Sequence, residues 1–464
     1  MLTLKLTALM GCLLVAGCAG PMDRIWDDPI YRDNRERFQR ADVETARLDT
    51  RGEFNAVPRT LQGLDQLTVN DAIRVAIGNS PGLRRAGYEV DIAAGRVIQA
   101  GLYPNPAFAF EAEAIGAEAG SNGDTTYLLE QEIVLGGKVG KAKGVAEADR
   151  LAAQAEFVAE EFAVAARVSR AYFAAVTARE RLESRRQLIE LADRLLNAAT
   201  AQVDAGAATE PDQLRAEVVR EQAQIEFESA QLQFEAAKRS LGSAMGIEES
   251  VDLALSSSAQ QLPTLPDEKA ILEAALEANG RVKLAELAIE RARRAHSLAQ
   301  AQAIPNVVAS IGPRYSDLDN EWTIDAGLGI EIPLFDRNQG DILATRAGRL
   351  SSAAALHEVQ LDLIAEISDA WAAYQAARVA VSRYDERVLP KAERTLDLTR
   401  QAYERGKADY LRLLDAQQVV IESRIAFVDA LQRLHEAAAS LRELAQTEAP
   451  WRDSSTGQIN GEVQ

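Results

Sequence analysis

Cysteine and histidine are scarce in this sequence. It has two cysteines and three histidines in 464 residues, and Cys12 lies inside an N-terminal apolar segment. His296, His357 and His435 are too far apart to form an i, i+4 pair. Disulfide-stabilised folds and the usual Cys/His metal sites need closely spaced residues of these two types. We therefore predict no disulfide and no metal-binding residues. Carboxylates are many, but nothing marks a pair of them for acid-base catalysis, so we also predict no catalytic residues, no cofactor and no enzymatic activity.

Aromatic residues and long apolar runs are also few. Aromatics make up 5% of the sequence. After the N-terminal segment, no run approaches the roughly 18 apolar residues of a transmembrane helix. The net charge of −19 is unsuited to binding nucleic acid or anionic phospholipid in general. Because alanine is abundant instead, the composition favours closely packed helices over a bulky globular core.

The first 17 residues have the layout of a secretory signal. Lys5 precedes an apolar core from Leu6 to Val15, which is too short to span a membrane. The core ends in Val15-Ala16-Gly17-Cys18, which resembles the lipobox of bacterial lipoproteins. This resemblance implies cleavage before Cys18 and a covalent lipid such as palmitate on it, and several acyl chains anchor a protein stably. Ala19 is the residue that goes with sorting to the outer membrane in enteric lipoproteins. The alternative is an ordinary signal with a chance cysteine.

The rest of the sequence is an internal duplication with an offset of about 200 residues. Ala72 to Asn79 is echoed by Leu272 to Asn279, and Tyr103-Pro104-Asn105 by Ile304-Pro305-Asn306. Each copy reads as a helix, two strands, a long helix, a turn and a helix. The predicted segments are a signal peptide at 1–17, a lipid-anchored segment at 18–66, repeat 1 at 67–246, a linker at 247–266, repeat 2 at 267–447 and a tail at 448–464.

One very long helical run is predicted in each copy. Residues 138–203 contain no proline and, after Gly144, no glycine, which predicts a helix of roughly 65 residues or about 100 Å. The equivalent run at 342–404 contains Pro390, which should bend or interrupt it.

The helix after each turn carries two seven-residue series, one of small and one of bulky side chains. In the second copy these are Ala416, Ser423, Ala430 and Ala437 beside Leu413, Val420, Phe427, Leu434 and Leu441. Two adjacent seams favour a ring of helices with neighbours on both sides. The alternative is one amphipathic helix on a single core.

Four extended segments lie between the helices. Ala107–Glu113 and Thr125–Leu135 form one predicted hairpin, and Val307–Tyr315 and Trp322–Leu334 form the other. Their lengths suit tilted membrane-crossing strands. Four strands cannot close a membrane barrel, and an open edge leaves backbone groups unpaired in lipid. We therefore predict a mainly α fold with a small β part, and a homotrimer in which three copies supply twelve strands and twelve helix positions.

From about Leu67 to Gln446 the sequence resembles the TolC-like outer-membrane efflux family. Within it, three motifs are similar to the branch that serves heavy-metal efflux of the cobalt, zinc and cadmium type. They are Tyr103-Pro104-Asn105-Pro106, Glu130-Gln131-Glu132 before Leu135-Gly136-Gly137-Lys138, and the lipobox. The resemblance implies a trimeric tunnel, with a twelve-stranded barrel in the outer membrane and a long helical barrel through the periplasm. It also implies two partners, a periplasmic adaptor (membrane fusion) protein and an inner-membrane resistance-nodulation-division pump.

In this family the two helical-hairpin turns form the inner tip of the tunnel, so the resemblance implies site residues there. Gly206 and Gly406 are the turn glycines, where contact with the adaptor is expected. By position after the glycine, Asp212 and Asp415 match the family's aperture aspartates. Arg412 stands where the prototype has another aspartate, which makes the ring less negative.

The position of Asp212 also fits a purely structural role that does not involve the aperture. Thr209 and Asp212 have the spacing of a capping box at the start of a helix. Asp415 has no such alternative, because Asp409 is the better candidate for the cap of its helix.

Two other functions stay open on the sequence alone. One is the same tunnel with a different solute, as in drug efflux or type I protein secretion. A lipid-anchored coiled-coil scaffold without a pore is the other possibility, and the four strand segments argue against it.

Overall fold

The computed structural model describes residues 65–113, 123–206, 209–248, 250–252, 254–256, 262–317, 319–405, 407–408 and 410–446. The predicted signal peptide and tail, Cys18 and Gly406 lie outside these residues. The helices are α1 (Val69–Asn79), α2 (Pro81–Ala100), α3 (Lys138–Asp204), α4 (Glu210–Ala244), α5 (Glu268–Ala278), α6 (Gly280–Gln302), α7 (Gln339–Arg383), α8 (Leu389–Glu404) and α9 (Tyr410–Ala445). The strands are β1 (Gln66–Leu67), β2 (Ala107–Glu113), β3 (Asp124–Ile133), β4 (Ala254–Leu255), β5 (Val307–Ser316) and β6 (Glu321–Ile330). Across the described residues, no helix combines the length and apolar composition needed to cross a membrane.

The long helices form a layer with α3 in a central position. In the half of the layer next to β2, β3, β5 and β6, α3 packs against α2 and α6, and α6 packs against α7. In the other half α3 packs against α4 and α9, and α9 packs against α7 and α8. Four helices therefore lie side by side at each level, which is the number that the predicted ring takes from each copy.

The predicted long helix of the first copy is confirmed. It is α3, which runs unbroken for 67 residues, or about 100 Å. The second copy is interrupted, as predicted, because a π-helical turn at Tyr384–Val388 separates α7 from α8 and Pro390 follows in the first turn of α8. Proline has no N–H to donate and its ring clashes with the preceding turn of an α-helix. A wider π turn is one way in which a helix accommodates such a residue.

Both seven-residue series of the second copy are buried along α9. The buried members are Leu413, Ala416, Val420, Ala430, Leu434, Ala437 and Leu441. Because α9 packs against α3 as well as α7, the prediction of two seams with two neighbours is confirmed for this helix. The first copy differs in degree, because α4 buries Ala216, Ala223, Ala230 and Leu241, whereas Phe227 and Phe234 are only half-buried.

The two predicted hairpins are confirmed, and they join into one antiparallel sheet of order β2-β3-β5-β6. Two strand ends were predicted too long. β3 ends at Ile133 and β6 ends at Ile330, two and four residues before the predicted ends. For β6 the physical reason is Pro333, which cannot donate to a ladder and is disfavoured in a continuing strand.

The pairing of β3 with β5 is interrupted where Gly312 and Pro313 lie opposite Leu128 and Tyr127. Pro313 has no N–H to donate, so a ladder bond is lost at this point. A Cβ atom at Gly312 would lie 1.6 Å from the backbone oxygen of Tyr127. The close approach of the two backbones therefore requires glycine at position 312.

A small parallel sheet of β1 and β4 is attached to α3. Tyr172 of α3 is fully buried. Its hydroxyl lies 2.9 Å from the carbonyl oxygen of Leu67 and 3.1 Å from that of Ser256, and its single hydrogen can donate to either. This contact ties the segment before α1 and the segment after α4 to the central helix.

Candidate functional site

The four-stranded sheet has two faces of opposite character, because residues paired across strands share a face. The apolar face carries Phe108, Phe110, Ala112, Thr125, Tyr127, Leu129, Gln131, Ile133, Val307, Ala309, Ile311, Pro313, Tyr315, Trp322, Ile324, Ala326, Leu328 and Ile330. The acidic face carries Ala107, Ala109, Glu111, Glu113, Asp124, Thr126, Leu128, Glu130, Glu132, Val308, Ser310, Gly312, Arg314, Ser316, Glu321, Thr323, Asp325, Gly327 and Gly329.

The apolar face is exposed in the single chain. Ile324 is 77% exposed and Leu328 is 81% exposed. Aromatic rings lie in neighbouring strands of this face, with centroids 5.3 Å apart for Phe110 and Tyr127 and 5.2 Å apart for Tyr315 and Trp322. A contiguous exposed apolar surface of this extent marks contact with a membrane or another protein.

The acidic face holds seven carboxylates and, within the four described strands, one guanidinium. That guanidinium belongs to Arg314 in β5. Its Nη2 donates to Asp124 Oδ2 in β3, and its Nη1 lies 3.7 Å from Asp325 Oδ2 in β6. The face as a whole therefore carries a strong negative charge. Among the described residues no group of three or more His, Cys, Asp or Glu is arranged to hold a metal ion.

The motif residues at the junction of strands and helices connect the two repeats. Asn306 Oδ1 accepts from the backbone N–H of Leu135 (3.2 Å) and from Lys138 Nζ (2.6 Å), and Asn306 Nδ2 donates to Glu132 Oε1 (2.6 Å). Gly136 has a φ of 71°, which favours glycine and turns the chain from β3 into α3. These hydrogen bonds tie the start of β5 to the end of β3 and the start of α3.

At the first hairpin turn, Asp212 occupies the third position of α4 and is hydrogen-bonded to the helix cap. Its Oδ2 accepts from the backbone N–H of Thr209 (3.0 Å) and from Thr209 Oγ1 (2.6 Å). These bonds, with the hydroxyl bond the larger effect, hold the pKa of the Asp212 carboxyl below its ordinary value. Gly206 has a φ of 68°, as expected of a turn glycine. The capping box predicted as the alternative role of Asp212 is therefore present.

At the second hairpin turn, Asp415 and Arg412 both lie on the exposed side of α9, near its start. The two hairpins approach each other close to the turns, where Gln202 Nε2 of α3 lies 3.4 Å from the hydroxyl of Tyr403 in α8. The structure thus places Asp212 and Asp415 near equivalent turns of the two hairpins.

The free side of α4 carries an exposed apolar stripe of Val218, Ile225 and Leu232, spaced by seven residues. Their exposed fractions are 56%, 66% and 71%. This spacing keeps the stripe on one side of a slightly supercoiled helix. It lies at the edge of the helix layer, where the described chain provides no further helix.

The sequence analysis missed two sets of residues. Ion pairs between α3 and α9, such as Arg181 with Asp429 (2.6 Å) and Arg170 with Glu443 (3.0 Å), hold the two repeats together, and no sequence motif marks them. The acidic face did leave a signal, since Glu111 and Glu113, and Glu130 and Glu132, alternate with other residues along their strands.

Comparisons with known proteins agree with this architecture. The family model described as "Outer membrane efflux protein" matches residues 72–247 and 271–446. The cobalt-zinc-cadmium resistance protein CzcC of Cupriavidus metallidurans is 25% identical over 83% of this chain and 90% of its own length. The nickel and cobalt resistance protein CnrC of the same organism is 31% identical over 62% of this chain and 69% of its own length. The MtrE outer membrane channel of Neisseria gonorrhoeae shares the fold, with a TM-score of 0.68 over 81% of this chain and 88% of that chain at 19% identity. The chain therefore belongs to the outer membrane efflux protein family.

Proposed function

We propose that the chain forms the outer-membrane exit duct of a tripartite efflux system and that the exported solutes are heavy-metal cations. The observation that carries this proposal is the division of the sheet into an apolar and an acidic face. The hydrocarbon of a bilayer accepts an apolar face, and a polar face lines the interior of a membrane β-barrel. In that orientation the acidic face is the wall of the duct.

The duct is a homotrimer. β2 and β6 are the edge strands of the sheet. In lipid, each unpaired backbone group costs several kcal/mol, so β6 of one copy pairs with β2 of the next. Three copies give an even number of alternating strands, as a closed barrel requires. The apolar stripe on α4 is covered in the same way by the free edge of the next copy's helix layer, where Val379 near the end of α7 and Leu398 of α8 are exposed.

The charge of the duct favours cations as the solute. Carboxylates on a low-dielectric wall raise the local concentration of cations and repel anions. The metal-resistance proteins among the relatives support the same class of solute. Because the duct needs no binding site of its own, the choice among metals lies in the pump.

The lipobox and the architecture of the family support the remaining parts of the proposal. A covalent lipid on Cys18 anchors each copy in the outer membrane. The hairpin turns at Gly206 and Gly406 contact the periplasmic adaptor, which joins the duct to an inner-membrane resistance-nodulation-division pump. Asp415 lines the inner aperture, and Arg412 lowers its negative charge. Asp212 has a smaller part in the aperture, since its carboxylate is engaged with Thr209.

Conductance measurements test the duct. The purified protein, reconstituted in a planar bilayer under a KCl gradient, is expected to run as a trimer, to conduct, and to show a reversal potential that indicates cation preference. Replacing Asp415 with alanine is expected to change conductance and cation preference. A monomeric protein without conductance contradicts the proposal and favours the coiled-coil scaffold.

Sensitivity of a deletion strain identifies the solute. Loss of the chain is expected to sensitise the cell to zinc, cadmium or cobalt, and complementation restores growth. A strain that becomes sensitive to antibiotics alone, or that fails to secrete a protein, assigns the duct to drug efflux or to type I secretion instead.

A further inference from the structure

Arg314 has a special position on the acidic face. Among the four described strands it contributes the one basic side chain of that face, and it lies in β5, between β3 and β6. Its guanidinium contacts Asp124 on one side and lies 3.7 Å from Asp325 on the other. One cation thus bridges three strands.

The register places this cation close to the hairpin-loop end of the sheet. Glu113 pairs with Asp124, Asp124 with Ser316, and Ser316 with Glu321, so one row across the sheet holds three carboxylates. Arg314 is in the next row of the same face, about 7 Å further in.

We propose that Arg314 is a specificity-determining residue of the duct, which sets the fixed charge of the wall at its loop end. This inference rests on the proposed function, because it needs the acidic face to line a closed barrel. In the three rows of the acidic face that lie nearest the hairpin loops, each copy contributes five carboxylates and one guanidinium. Removing the guanidinium makes the wall more negative, and removing the charge of Asp124 makes it less negative.

The size of the effect follows from Coulomb's law with screening. Three charges about 10 Å from an ion, in water with a Debye length of about 10 Å at 0.1 M salt, change its local concentration by about twofold. Cations and anions change in opposite directions, so the permeability ratio of K⁺ to Cl⁻ changes by about fourfold. At 1 M salt the Debye length falls to about 3 Å and the effect disappears.

The experiment compares charge variants of the full chain as purified trimers in planar bilayers under a 0.1 M KCl gradient. Arg314→Gln is expected to raise the K⁺/Cl⁻ permeability ratio and Asp124→Asn to lower it. The double variant returns to the wild-type ratio, because it loses one charge of each sign. Arg314→Lys keeps the charge and therefore the ratio.

A purely structural cross-link gives a different pattern. Both single variants break the same ion pair, so a structural role predicts that they change stability or conductance in the same direction. Opposite shifts of the reversal potential are specific to the charge role. If Arg314→Gln fails to assemble, the test rests on two other results. They are the lowered K⁺/Cl⁻ permeability ratio of Asp124→Asn and the unchanged ratio of Arg314→Lys.

Lys269→Gln is the matched control for removing a positive charge. Lys269 is 82% exposed in α5, and the 23 residues of α6 separate it from the sheet by about 34 Å, so the ratio should stay unchanged. If both single variants form conducting trimers that keep the wild-type ratio, or that shift it in the same direction, the role of Arg314 is overturned and the proposed function still stands. A wild-type chain that does not conduct overturns the proposed function and this inference with it.

Discussion

Replacing Gly312 with alanine tests whether close contact between β3 and β5 is needed for assembly. A Cβ there would lie 1.6 Å from the backbone oxygen of Tyr127, and real Cβ atoms essentially never approach below 3.0 Å. The two strands must then separate by about 1.4 Å. The pairing is already interrupted at Gly312, so this separation stretches the N–H···O bonds of the flanking pairs, Thr126 with Arg314 and Leu129 with Ile311, from about 2.9 Å to beyond hydrogen-bonding range. Each backbone group that loses its partner in lipid costs several kcal/mol, so a few such groups approach the total stability of a domain, about 5–15 kcal/mol.

Gly312→Ala is therefore expected to abolish the trimer. Outer-membrane fractions run on gels without heating measure the trimer, and planar-bilayer recordings measure its conductance. Gly329→Ala is the matched control on the same face, because the nearest atom to its added Cβ, the oxygen of Val308, is 4.0 Å away. Wild-type amounts of conducting trimer from Gly312→Ala would refute the argument from strand contact.

Three further predictions concern the helices. Tyr172→Phe is expected to cost about 1 kcal/mol, since the carbonyl of Ser256 loses its donor; an unchanged thermal midpoint of the detergent-solubilised trimer would show that this bond contributes nothing. Ile225→Glu puts a charge on the apolar stripe of α4 and should lower the yield of trimer but not the helix content, whereas equal yields would place the stripe outside the interface. The stabilisation that the Asp212 carboxylate gives to the start of α4 should be complete above the ordinary aspartate pKa of 3.8 and lost as pH falls through the lowered pKa of the folded state. Amide exchange at Thr209 measures this loss, and the same pH dependence in Asp212→Asn would contradict it.

The features predicted from the sequence are those that depend on local chemistry. The absence of proline and glycine predicted α3, the alternation of residues predicted the strands, and the Thr209–Asp212 spacing predicted the capping box. The predicted end of β6 lay past Pro333, although proline is disfavoured in a continuing strand. The two-faced sheet was not predicted, because alternation assigns faces only within one strand and the register of all four strands shows which of these faces combine. The same holds for Gly312, whose constraint comes from a strand about 185 residues away in the sequence.

The π-helical turn at Tyr384–Val388 makes the two halves of the duplication structurally unequal. One hairpin is built on an unbroken α-helix, and in the other a π turn separates α7 from α8. A trimer therefore presents six hairpin ends that alternate between two kinds, and its symmetry at that end is threefold and not sixfold. Six identical partner molecules arranged around it would occupy two non-equivalent positions, and each molecule would need a surface able to fit both.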